Sequence, residues 1–343
     1  MRQAVLLGKP DTKRTNYMGH AAQKEGLHVL FLDWDGWKEH FPEGKVFLKI
    51  DPPVWDSCKL GQLEALVKHY ENQLGQLEDQ ARIQDVKFFN HPGAIDLLLN
   101  KQKCKERLVR AGLSVTEEIG GGKREGPIKR VEQLLEIMQK NRVYQVFVKP
   151  IFGSGAAGVS AFRWQPNTGK MVLYTCMWKE DGMPDLVNTK KLRKVTDARQ
   201  VLSLMEQLLQ MECMVERWYA KEEHEGFSYD LRAVIQDKTM DFCLARLSKG
   251  PVTNLHLNNR PLKFDDLGLS GTVKEQVEEL CIQAAECFPG LRSVGVDILL
   301  EKGSQRPRVI EMNGQGDLIY QDIYGDNRIY EKQARIMKQE ILE

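Results

Sequence analysis

The chain has 343 residues, 42% hydrophobic and 28% charged, a make-up that suits two or three globular lobes of an enzyme or binding protein and excludes a low-complexity segment. Its 49 basic and 48 acidic residues leave a formal charge of +1, so bulk charge points to neither a nucleic acid nor an anionic membrane as a partner. The longest apolar runs, such as VGVDILL, are too short to cross a bilayer.

The opening MRQAVLLGKP turns polar at Gly8 and reads as a first strand (3–7) rather than a signal peptide. HVLFL (28–32) reads as a second strand, and a short helix from Tyr17 to Glu25 between them predicts a β-α-β half of a parallel sheet. Lys9, Lys13 and Arg14 follow the first strand, where strand ends in such sheets face ligands, and are candidates to meet an acidic substrate. A polar helix is expected over about 61–84. The next segment has Pro92 at a helix start, apolar residues at 95, 98, 99 and 108, and Gly112 as its stop. GGGKREGP (120–127) is the best candidate for a flexible loop.

Beyond that loop come a helix (129–141), a strand, a glycine loop and two strands (159–164 and 170–178). A polar stretch containing KKLRKV (190–195), read as a solvated basic patch, precedes a helix over about 197–211 and the strand CMVERWY. Two hairpins flank a helix over about 272–287, and NRIYEKQARIMKQEIL is helical. The whole predicts an α/β start followed by an α+β remainder. Seven cysteines, at 58, 104, 176, 213, 243, 281 and 287, form no C-x-x-C pair and read as reduced, buried thiols of a cytoplasmic protein.

The glycine loop, Gly153, Gly155 and Gly158 in FGSGAAG, spells G-x-G-x-x-G, but strand rather than helix pattern follows it, which excludes a dinucleotide turn. A Walker loop would place its lysine after the glycines, whereas Lys149 precedes them; H-R-D and D-F-G motifs of protein kinases are absent. What remains is a strand–loop–strand flap whose bare N–H groups close over phosphate oxygens, or a plain hairpin with a glycine-rich tip.

Asp297 in SVGVDILL, and Glu311 and Asn313 in RVIEMNG, are polar exceptions in apolar strands. Glu311 and Asn313 share one face, and a turn centred near Ser304 sets Asp297 opposite Glu311. Facing like charges need an offset, and two carboxylates with an amide oxygen are a hard-oxygen set suited to magnesium; acids on a wet face are the plainer reading. In the preceding hairpin Asp230 and Arg232 share a strand face and Arg246 lies on the neighbouring strand. Arginines at such positions need anions, supplied either by a triphosphate and a substrate carboxylate or internally by Asp230 or Asp241.

The order of these motifs resembles the ATP-grasp fold, most of all carboxylate–amine ligases of the RimK-like glutamate ligase and glutathione synthetase type, over about residues 90–315. The resemblance implies an α/β pre-ATP-grasp domain (1–90) and an ATP-grasp domain (91–343), with a lid subdomain over about 113–215 and a metal-binding subdomain over about 216–343. The nucleotide then lies between two α+β subdomains, one a mobile lid. It implies that Lys101, Lys149, Gly153, Ser154, Gly155 and Gly158 hold phosphates, that Glu216, Arg217 and Trp218 form the adenine hinge, and that Asp230 meets the ribose. Arg232, Arg246 and Asn254 become the catalytic groups, and Asp297, Glu311 and Asn313 the ligands of magnesium, with manganese as a substitute. The implied activity is an ATP-dependent amide-forming ligase acting through an acylphosphate on small-molecule or peptide carboxylates and amines, with no nucleic acid or membrane partner and with self-association of copies. A phosphotransferase with a stable phosphorylated product and a non-catalytic nucleotide-binding protein are the alternatives. The chain departs from the pattern after Asn313, where GQGDLIYQDIYGDN replaces a proline–glycine turn, and at Leu257, where an arginine is expected.

Overall fold

The computed structural model describes residues 1–54, 59–120, 126–153, 155–179, 185–257, 259–315, 323 and 325–342. Strands β1 (Gln3–Gly8), β2 (Val29–Asp33), β3 (Val46–Ile50) and β4 (Val86–Phe88) form a parallel sheet in the order β2-β1-β3-β4. The continuous apolar run of β1 is what a sheet covered on both faces requires, and the period of two divides it. Ala4 and Leu6 pack with Met18 and Ala21 of α1 (Lys13–Lys24). Val5 and Leu7 pack with Tyr70, Leu74 and Leu77 of α2 (Leu63–Ile83).

The predicted single helix after Pro92 is two helices, α3 (Pro92–Leu99) and α4 (Lys101–Arg110). Asn100 separates them. Its extended backbone ends α3, and its side chain accepts from the N–H groups of Gln102 and Lys103, starting α4 afresh. An asparagine carboxamide competes with the helical ladder for local donors, and here it wins.

The second sheet runs β5-β10-β6-β7-β8-β9, built from β5 (Glu118–Gly120), β6 (Gln145–Pro150), β7 (Ser160–Gln165), β8 (Lys170–Lys179), β9 (Leu186–Val195) and β10 (Cys213–Arg217). One face buries Val146, Val148, Phe162 and Leu173 against Leu134 and Met138 of α5 (Val131–Lys140) and Val201 and Leu208 of α6 (Ala198–Leu208). Phe147 and Lys149 alternate with the buried Val146 and Val148 along β6 and lie on the other face. The basic run 190–195 belongs to β9, a strand hydrogen-bonded on one side to β8.

The third sheet runs β14-β13-β12-β15-β16, from β12 (Phe227–Gln236), β13 (Thr239–Ser248), β14 (Arg260–Lys263), β15 (Ser293–Leu300) and β16 (Pro307–Asn313), with the two-residue β11 (Glu223–His224) beside β12. Leu231, Ala233, Val296 and Ile298 pack on Val277, Cys281 and Ala284 of α7 (Gly271–Glu286). The final helix α8 (Arg328–Leu342) covers the first sheet beside α1 and also packs on Val234, Phe242 and Leu244 of β12 and β13, so it spans two layers. The six described cysteines are free and five are buried; burial pushes the Cys104 and Cys213 thiols up to about 12, as for inert packing residues.

Candidate functional site

The glycine loop joins β6 to β7, which are antiparallel, so it is a strand–loop–strand flap in the structure as well. Gly158 has φ +68° and an added Cβ would lie 2.8 Å from Pro150 Cγ, so the left-handed turn and the close approach both demand glycine. Ser154 lies outside the described residues. The flap is tied to the start of α4 at two points: the Lys101 N–H donates to the Ile151 carbonyl at 3.0 Å, and Lys101 Nζ donates to the Gly153 carbonyl. Because Asn100 restarts the helix, Lys101 is its first residue and its side chain leaves toward the flap. Burial lowers the Lys101 ammonium's pKa against the opposing pull of Glu311.

Lys149, the lysine before the flap, is buried and donates to Glu216 Oε2 at 2.6 Å. The other oxygen of Glu216 accepts from Lys105 Nζ, which also donates to Thr116 Oγ1 at 2.7 Å and to its carbonyl at 2.9 Å. Burial alone would raise the Glu216 carboxyl; Lys105 and Lys149 outweigh it and hold it below the usual range. The side chain of Glu216, expected at the adenine hinge, is thus the counter-ion of two buried lysines. Its neighbours already have backbone partners, Arg217 N–H donating to Glu117 at 2.8 Å and Trp218 N–H to Gln145 at 3.1 Å.

The third sheet sets its charged residues in register. Arg232 stands opposite Asp297 and Asp230 opposite Arg246, while Asp297 stands opposite Glu311 as the turn placement predicted. Arg246 Nε donates to Asp230 Oδ1 at 2.7 Å, and its Nη2 lies 3.2 Å from Asp297 Oδ2. Arg232 Nη2 donates to Asp297 Oδ2 at 3.2 Å. Both arginines therefore have internal anions, Asp230 and Asp297. Lys221 adds a third cation, donating to Thr253 Oγ1 at 2.9 Å and lying 3.6 Å from Asp230 Oδ2. Burial would raise Asp230, yet Arg246 and Lys221 together hold it low; for Asp297 burial prevails over its two arginines, with Asp230 and Glu311 adding to the rise.

Three buried atoms in this cluster lack a hydrogen-bond partner: Asp297 Oδ1, Arg232 Nη1 and Asn313 Nδ2. Asp297 Oδ1 nevertheless lies 2.6 Å from Arg232 Nε as an ion pair, which leaves Arg232 Nη1 and Asn313 Nδ2 as the two unsatisfied donors. Orphaned buried donors are costly, and these two fit a ligand that brings acceptor oxygens. Among the described residues no group of three His, Cys, Asp or Glu side chains forms a ready-made metal cage. Two carboxylates and an amide fit a hard cation that completes its shell with phosphate oxygens and water.

Two cavities meet at these residues. One, of about 500 Å³, is lined at this end by Lys101, Gly153, Arg232, Arg246, Glu311 and Asn313, and reaches Arg14, Pro52 and Tyr70 at the end of the first sheet. The other, of about 120 Å³, lies between the second and third sheets and is lined by Lys149, Glu216, Arg217, Lys221, Asp230 and Asp297. Gly155, Arg232, Arg246, Asn254, Glu311 and Asn313 line both. Of the described residues that the resemblance places at the nucleotide and metal, Trp218 and Gly158 line neither; Trp218 packs on Phe147 with ring centroids 5.5 Å apart and Gly158 packs at the flap base. Lys105 and Lys221 were missed. Lys105 had a signal, since it is four residues from Lys101 and shares its helix face; Lys221, in the polar run AKEEHEG, had none.

No protein-family model and no curated protein sequence matches the chain. Solved structures do match it along nearly its whole length. The ATP-grasp ligase PsnB complexed with minimal precursor, Mg and ADP has 14% identity and a TM-score of 0.58, covering 99% of this chain and 98% of that one. The macrocyclase MdnC bound with precursor peptide MdnA, from Microcystis aeruginosa MRC, has 14% identity and a TM-score of 0.60 over 98% of this chain and 100% of that one. D-alanine–D-alanine ligase from Bacillus anthracis, complexed with ATP, has 14% identity and a TM-score of 0.56 over 99% of both chains. The chain has the ATP-grasp fold. No helix among the described residues is long and apolar enough to cross a membrane.

Proposed function

We propose that the chain is an ATP-dependent carboxylate–amine ligase that forms an amide through an acylphosphate and releases ADP and phosphate. The observation that carries this reading is the junction of two cavities at one set of charged and amide residues, Arg232, Arg246, Asn254, Glu311 and Asn313. A triphosphate entering between the second and third sheets would present its last phosphate there, to a carboxylate entering from the larger cavity. A cavity of about 120 Å³ is smaller than a nucleotide-sized ligand fills. Binding then parts the two sheets, and the flap closes again over the bound phosphates.

In the first step a carboxylate oxygen attacks the γ-phosphorus and the bond to ADP breaks. In the second an amine attacks the acyl carbon, phosphate leaves with its electron pair, and the amine proton is lost. The protein contributes position and charge rather than a covalent intermediate. Lys101 and Lys149 bind phosphate oxygens, each ammonium being already fixed by one bond, to the Gly153 carbonyl and to Glu216. Arg232, with its orphaned Nη1, and Arg246 face the charge that grows on the transferred group. Magnesium held by Asp297, Glu311 and Asn313 would neutralise phosphate charge when bound. The reacting acid and amine belong to a small molecule or to a peptide, as in the neighbours solved with precursor peptides.

Incubation with ATP, magnesium, hydroxylamine and a panel of acids tests the reading: a hydroxamate and an equal amount of ADP are expected, and ADP with a stable phosphorylated acid would replace the ligase by a phosphotransferase. Glu311→Gln is expected to lower magnesium-dependent ADP release by about 100-fold or more while the far-ultraviolet spectrum is kept; turnover near the parental rate removes Glu311 from the site.

A further inference from the structure

Strand β16 ends at Asn313, and the turn that follows it, Gly314 and Gln315, is held by side chains from elsewhere in the fold. Asn90, between β4 and α3, is only 5% exposed. Its Nδ2 donates to the Gly314 carbonyl at 2.6 Å and to the Ser293 carbonyl at 2.7 Å. Its Oδ1 accepts from the N–H groups of Arg292 at 2.8 Å and Ser293 at 3.0 Å. Both amide hydrogens and both oxygen lone pairs are thereby engaged, the full capacity of the side chain. One carboxamide thus joins three backbone segments: the approach to α3, the start of β15 and the exit from β16.

Gln315 is clamped in turn. Its Nε2 donates to the Ile50 carbonyl at 2.9 Å, its Oε1 accepts from Tyr70 OH at 2.9 Å, and its own carbonyl accepts from Arg14 Nη1 at 3.1 Å. Gly314 has little room to shift between the two clamps, since an added Cβ would lie 3.2 Å from Leu98 Cδ1 and 3.4 Å from Ile95 Cα. The side-chain Nδ2 of Asn313, by contrast, donates to nothing. No bond from that amine orients the side chain, so its place follows from its backbone, and the backbone is set by the turn. Asn90 lines neither cavity, and it reaches the site through the Gly314 carbonyl.

We infer that Asn90 and Gln315 are positioning residues for Asn313: by fixing the turn they hold the end of β16 where its amide meets a bound divalent cation. The inference rests on the ligase reading for the cation held by Asp297, Glu311 and Asn313, and adds to that set two side chains that do not belong to it. Groups that orient a metal ligand without touching the metal are commonly worth about 10–100-fold in metal affinity.

The test uses the full chain with ADP and manganese, free manganese being read by electron paramagnetic resonance and ADP binding by calorimetry with and without the metal. Asn90→Ala should raise the manganese concentration at half-saturation by at least about 10-fold, while ADP affinity in EDTA changes by less than about 2-fold. Gln315→Leu, which removes the bonds to Ile50 and Tyr70, should shift the manganese constant the same way, and it decides the matter where Asn90→Ala does not fold. Val277→Ala loosens the core on the far face of the same sheet and should leave both constants within about 2-fold, whereas a general loss of stability would move all three variants alike. An unchanged manganese constant in the folded variants, an equal loss of ADP affinity in EDTA, the same shift in Val277→Ala, or a parental protein whose ADP binding ignores manganese overturns the inference. A shifted manganese constant with no hydroxamate formed from any acid leaves the inference standing and counts against the ligase reading alone.

Discussion

Replacing Glu216 by glutamine keeps the shape of the side chain and removes the one charge that faces both Lys105 and Lys149. The Lys149 contact is 2.6 Å, the Lys105 contact is a direct ion pair, and all three side chains are almost wholly shielded from water. Breaking a buried pair costs about 3–5 kcal/mol because a charge is left uncompensated. Two lysines share this carboxylate, so the upper end, about 5 kcal/mol, is expected, a large part of the roughly 5–15 kcal/mol that holds a domain together. Denaturant unfolding of the parental protein, Glu216→Gln and Lys105→Met/Glu216→Gln measures it. The double variant should recover at least about 1 kcal/mol over the single one, since it removes the stranded ammonium. A loss below about 1 kcal/mol in Glu216→Gln, or a further loss on adding Lys105→Met, would refute the view that Glu216 is the counter-ion of this cluster.

Gly158→Ala should lower Tm by about 2–4 °C or more, since a left-handed backbone and a 2.8 Å contact with Pro150 Cγ must both be relieved; calorimetric scanning reads it, and an unchanged Tm would mean the flap base yields freely. Acid should weaken the fold through Glu216 and Asp230. Their carboxyls are held below the usual range in the fold, so their contribution is complete above about pH 5 and is lost as pH falls through the unfolded values near 4 toward the lower folded ones. Unfolding followed from neutral pH downward should show this slope, with less of it in Glu216→Gln; an identical slope in the variant would sink the assignment.

The most legible part of the site was the carboxylate hairpin, because a period of two and one turn position suffice to set Asp297 opposite Glu311, and that is the register found. The flap was legible for the same reason, strand pattern on both sides of the glycines. Partner choice was not legible. For Arg232 and Arg246 the sequence left an outside anion and internal Asp230 or Asp241 open; cross-strand register hands them Asp297 and Asp230, and register between three strands depends on turns that no single segment encodes. The strand β9 was hidden by its lysines and arginines, of which Arg193 stacks over Trp178 at 4.8 Å and Lys194 over Tyr174 at 5.9 Å. Asn100 looked like one polar residue in a helix; only its two backbone partners reveal a break.

The place of α8 has a consequence for how the chain assembles. During synthesis the strands around Ala4, Leu6 and Phe47 emerge long before Ile329, Tyr330 and Met337, the side chains that shield them. Until those arrive, the lobe around β1 and β3 carries a greasy, half-covered surface, so its maturation waits on a segment made some 300 residues later. Removing residues 328–342 would therefore damage the lobe of β1, β3 and α1 first, although some 300 residues of sequence separate them.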